Sequence, residues 1–64
     1  MPELIENIKK KANEQRITIH QVEMNAGIAN GSISSWRKGS IPRIDTLQKV
    51  ANTLGCTIDE LMNG

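Results

Sequence analysis

Apolar residues return along this chain every three or four positions, the spacing of a helix face, and nowhere alternate long enough to compete as a strand. Leu4, Ile5, Ile8 and Ala12 make one stripe and predict a first helix from about Pro2, a residue suited to a first helical position, to about Gln15. Thr18 and Gln21 have the capping-box spacing and Gly27 follows as a stop, so a short second helix is expected between them. A third run, about Asn30 to Lys38, carries Ile33 and Trp36 on its apolar face and closes at Gly39. Ser40-Ile41-Pro42-Arg43 reads as a loop, because proline disfavours helical geometry at Ile41. Ile44, Leu47, Val50, Ala51 and Leu54 predict a fourth helix ended by Gly55; Thr57 and Glu60 repeat the capping box ahead of a fifth, Ile58 to about Met62, with Ile58 and Leu61 on the core. The expected fold is all-α, a compact five-helix bundle.

Helices two and three, short and joined by a glycine turn, have the form in which proteins carry a helix into the major groove of DNA. At about 100° per residue, Ile33, Trp36 and Arg37 point toward the bundle, while Asn30, Gly31, Ser34, Ser35 and Lys38 share the opposite face. That face is a short-reached polar ridge. Trp36, the only aromatic residue, and Cys56 are expected in the core, and His20 on the surface.

Sixty-four residues make a single domain, 1–64, near the lower limit at which an apolar core offsets chain entropy without a metal or disulfide. The one cysteine can close no internal disulfide and has no Cys or His cluster beside it, so no metal or cofactor is expected. No apolar run approaches the ~20 residues of a bilayer span, and the amino terminus lacks a basic region followed by an apolar core. A soluble protein of the reducing cytoplasm is expected. The net charge of +1 is too small for binding dominated by nonspecific electrostatics. The cations are grouped, however: Lys9, Lys10 and Lys11 in the first helix, and Arg37, Lys38 and Arg43 around the end of the third. Nothing resembles a nucleophile with its base and orienting acid, a paired-carboxylate cleft or a phosphate loop, so neither an enzyme nor a small-molecule substrate is expected.

Ile17-Thr18, Val22, Gly27, Ile33-Ser34-Ser35-Trp36, Gly39, Pro42, Asp45 to Ala51, Leu54-Gly55 and Ile58 to Leu61 follow one another in an order and spacing that resembles the lambda-repressor-like helix-turn-helix domains, of the Xre and Cro/repressor type. The resemblance covers nearly the whole chain and is greatest to phage-type regulators of low-GC Gram-positive bacteria. It implies a transcriptional regulator, a repressor, that places helix three in the major groove of double-stranded DNA while helix two crosses the backbone. On that reading Asn30, Gly31, Ser34 and Ser35 face bases: Asn30 can pair with adenine N6 and N7, and the serines can donate or accept. Lys38 and Arg43 meet phosphates, and Thr18 and Ser32 add neutral phosphate contacts. One small module offers little interface, so a homodimer on two half-sites is expected, its contact sought at the end of helix four, helix five and Met62.

Several positions depart from the family pattern. Gly31 stands where glutamine or arginine is common, so the ridge reaches only a short way and DNA shape is expected to carry part of the discrimination. Ala29 stands where serine or threonine usually caps the recognition helix, which leaves Asn30 as either cap or base reader. Ile19 replaces a phosphate-binding glutamine. Glu23 replaces a packed alanine and is expected to reach water or a cation. Ala12 and Arg37 together replace an arginine and glutamate that pair across helices one and three. The alternative these departures raise is a protein–protein interaction module, antitoxin-like or anti-repressor-binding, on the same fold with weakened DNA affinity.

Overall fold

The computed structural model describes residues 2–63, which form five helices and, among the described residues, no strand. They are α1 (Pro2–Glu14), α2 (Ile19–Ala26), α3 (Ser32–Arg37), α4 (Ile44–Leu54) and α5 (Ile58–Asn63). The stripes converge as their spacing requires: Leu4, Ile5, Ile8 and Ala12 of α1, Val22 of α2, Ile33 and Trp36 of α3, Leu47, Val50, Ala51 and Leu54 of α4 and Leu61 of α5 make one buried cluster. Cys56, Ile58 and Met62 are half-buried against it. Helix α5 lies on α1 and α2 on α4. Two side-chain amides, one on α1 and one just past its end, fasten this arrangement: Asn7 Nδ2 donates to the Leu61 carbonyl (2.6 Å) and Gln15 Nε2 to that of Leu54 (2.7 Å). No helix among the described residues is long and apolar enough to cross a membrane.

Both capping boxes form. Gln21 N–H donates to Thr18 Oγ1 (3.0 Å) and Thr18 N–H to Gln21 Oε1 (2.9 Å). At α5, Glu60 N–H donates to Thr57 Oγ1 (3.1 Å) and Thr57 N–H to Glu60 Oε1 (3.0 Å). The Thr57 amide first, then its hydroxyl, hold the Glu60 carboxyl below the usual range. Glu60 also meets half-buried Lys11 at 3.8 Å, so Lys11 belongs to the seam between α1 and α5 and not to a free lysine face.

Gly27 closes α2 with φ 72°, and its N–H returns to the Glu23 and Met24 carbonyls. A Cβ there would touch nothing within 4 Å, so a substitution is penalised only through the backbone. Gly27→Ala is expected to cost about 1–2 kcal/mol, the left-handed penalty of an L-residue, read as a shift in the urea midpoint. A loss beyond that range would mean the turn resists Cβ for another reason.

Three expectations fail here. Ile44, assigned to the core stripe, is 70% exposed: as the first residue of α4 it projects beyond the helices that cover Leu47. Arg37, assigned to the inward face, is exposed, because a six-residue helix turns only Ile33 and Trp36 fully inward. Helix α3 is also shorter than Asn30 to Lys38, since Gly31 at φ 89° breaks helical geometry before it and Lys38 is its last cap.

Candidate nucleic-acid interface

A helix of six residues has almost no stability of its own, so the position of α3 depends on what holds it. Ile33 and Trp36 anchor it from below, at 3% and 5% exposure. Its N-terminus is held by Glu23 of α2, eight residues before Gly31 in the sequence. Gly31 N–H donates to Glu23 Oε1 and Ile33 N–H to Oε2, each at 3.0 Å. Glu23 is buried (3% exposed) yet fully engaged, its charge set against the positive end of the helix. The sequence reading expected it to reach water or a cation; instead it is buried and both oxygens accept from backbone amides. It also settles the cap: the N-cap is Gly31, which has no side chain to offer, and Asn30 is not the capping residue.

Asn30 is instead exposed, and its Oδ1 lies 3.1 Å from His20 Nδ1. An amide oxygen only accepts, so His20 Nδ1 carries the proton and donates. The histidine on α2 thereby engages the amide oxygen and leaves both Asn30 Nδ2 hydrogens available to donate. His20 was read as plain surface; its only sequence signal was a ring able to reach across the turn.

The remaining expected contacts divide by what their polar atoms already do. Ser34, Ser35 and Lys38 are exposed on one side of α3. Thr18 Oγ1 accepts within its capping box, which leaves its hydrogen free to donate. Ser32 Oγ donates to the Ala29 carbonyl (2.6 Å), so its hydrogen is committed and only lone pairs remain, which phosphate oxygens do not seek. The half-buried Gly31 has its amide taken by Glu23. Arg43 Nε meets Asp45 Oδ1 at 3.4 Å with both side chains well exposed. The Thr46 amide, more than Arg43, holds Asp45 below its ordinary value. Such an exposed pair stabilises little, so Arg43 can exchange it for a phosphate.

Charge over this surface is one-sided. From Gln15 to Ile44 the chain has Arg16, Arg37, Lys38 and Arg43, and its only acid is Glu23. With that carboxylate buried against backbone amides, the whole segment exposes no acid. The other six carboxylates lie on α1, α4 and α5, which is how a net charge of +1 conceals a cationic face.

A family model described as helix-turn-helix matches residues 8–61. No curated protein and no solved structure matches the chain.

Proposed function

The chain belongs to the helix-turn-helix family of DNA-binding regulators, which is not a family of enzymes, and from that premise we propose that it is a sequence-specific repressor that seats α3 in the major groove. The observation that carries this is that the segment from Gln15 to Ile44 exposes no acid, its only carboxylate, Glu23, being turned inward. Phosphates approaching α2 and α3 would meet cations, hydroxyls and amides and no exposed acid of this segment; the exposed carboxylate just past it, Asp45, is paired with Arg43. Asn30, Ser34 and Ser35 face bases, with Gly31 allowing close approach of the backbone. Lys38, Arg43 and Thr18 contact phosphates, and Ser32 completes the first turn of α3 more than it binds.

The small ridge implies modest affinity for one module, so the repressor acts as a homodimer on a two-fold site. Helix α5 is spent on α1, and Met62 is half-buried against the core. The exposed large apolar side chains are Met24 (65%), Ile41 (82%) and Ile44 (70%). Ile41 and Ile44 flank the loop into α4 and suit a contact between copies beside the DNA. The same residues would serve the second reading, an antitoxin-like or anti-repressor-binding interaction module on the same fold with weakened DNA affinity.

Selection of bound sequences from random duplexes at two salt concentrations separates the two. The repressor reading expects enriched inverted repeats whose half-sites lie about one helical turn, ~10 bp, apart, with affinity falling steeply as salt rises. Absence of enrichment at low salt would reject DNA binding and leave the interaction module.

A further inference from the structure

Beside the recognition ridge lies a crevice of about 220 Å³ between α1, α2 and α3, lined by Ile5, Lys9, Ile19, Ile33, Ser34 and Arg37. Three isoleucines form its floor and two cations its rim. Neither Lys9 nor Arg37 takes part in an ion pair among the described residues, and no carboxylate lines the crevice. Two like charges facing one recess with an apolar floor repel with less screening than in open water, and an anion between them would remove that repulsion. The recess is smaller than the ~300–1,000 Å³ of pockets that enclose a drug-sized ligand.

A second, more open recess shares Lys9 and Ile19 with it and is lined also by Lys10, Thr18 and one carboxylate, Glu6. Joined at Lys9, the two recesses carry between them a row of cations and hydroxyls: Arg37, Ser34, Lys9, Lys10 and Thr18. A single small anion has no use for such a row; successive phosphates of one strand do. Ser34 joins the row to the face assigned to bases, so a duplex seated on α3 would lay its backbone along it.

We infer that Lys9 and Arg37 form a phosphate clamp that extends the duplex footprint from the helix-turn-helix onto α1. This rests on the DNA-binding reading above. Ile19, which lacks the polar group of a phosphate ligand, serves as apolar floor, and Arg37, which shares the crevice with no carboxylate, takes over the contact.

Duplex affinity measured by fluorescence anisotropy against salt tests the clamp with Lys9→Gln, Arg37→Gln, the double variant, and Lys11→Gln as a control of equal charge at the α1–α5 seam. Each clamp variant is expected to flatten the log–log salt slope by about 0.9, the double by about 1.8. Lys11→Gln should leave it unchanged, and thermal midpoints should stay at the wild-type value. The weakening should be the same for every duplex sequence. Steep wild-type salt dependence with unaltered slopes in the clamp variants would overturn the clamp and leave DNA binding standing. No duplex binding by any form would overturn both. Inorganic phosphate binding, seen by calorimetry and abolished by Arg37→Gln, that leaves duplex affinity unaltered at constant ionic strength would assign the crevice to a free anion and equally overturn the clamp.

Discussion

Glu23→Ala is expected to be the most damaging single change away from the apolar core, lowering stability by roughly 2–5 kcal/mol. The variant deprives two backbone donors, Gly31 N–H and Ile33 N–H, of a charged acceptor. Hydrogen bonds to charged groups contribute about 1.5–3 kcal/mol each, and a buried donor left without a partner costs a similar amount. A domain of this length has on the order of 3–10 kcal/mol in total, so the loss approaches unfolding. In thermal denaturation it corresponds to a midpoint lowered by about 10–30 °C. Glu23→Gln keeps one acceptor but turns an NH₂ group toward the other amide, and should recover no more than half of the loss. If Glu23→Ala melted within a few degrees of wild type, the carboxylate would not be what positions α3.

Glu23 also shows where the sequence stops being legible. Most features that a residue shares with neighbours three or four positions away were readable: five helices, both capping boxes, the bulk of the apolar stripes and the stops at Gly27 and Gly55. Glu23 meets amides eight and ten residues further on, and nothing in the spacing of α2 says that the start of α3 will fold over it. For the same reason Ala29 looked like a missing cap and Asn30 like its substitute. Once a side chain from another helix supplies the cap, Gly31 is free to take its positive φ and Asn30 is free to meet His20. Ile44 and Arg37 failed differently. Helical angle says which residues share a face but not how far the neighbouring helix extends to cover it, and both lie where cover runs out.

The candidate site was legible as a face and not as a set of free atoms. Ser34, Ser35 and Lys38 lie exposed on α3, as helical angle requires. Which donors remain available depends on internal bonds: the Ser32 hydroxyl and the Gly31 amide are used within the fold, whereas the Thr18 hydrogen and both Asn30 Nδ2 hydrogens are not. The cationic character of the face was hidden for a related reason, since net charge weights a buried carboxylate and an exposed one equally.

That distinction between fold and face leads to the second large effect, the double variant Ser34→Asp with Ser35→Asp. Both serines are exposed, and neither side chain is seen to hold a partner in the fold, so the thermal midpoint should move little: surface changes away from caps and buried groups usually stay within about 0.5 kcal/mol. Duplex binding should respond very differently, because two carboxylates would be placed on a ridge directed at phosphates and base edges. Like charges brought together across an interface cost several kcal/mol, which corresponds to a loss of about a hundredfold or more in affinity. Circular dichroism melting and anisotropy titration on the same preparation read the two effects separately. Retained duplex affinity in a folded double variant would mean that DNA is met by some other surface. Unfolding would mean that the serines support the bundle. A folded protein that no longer binds is the result that places the ridge of α3 against the nucleic acid.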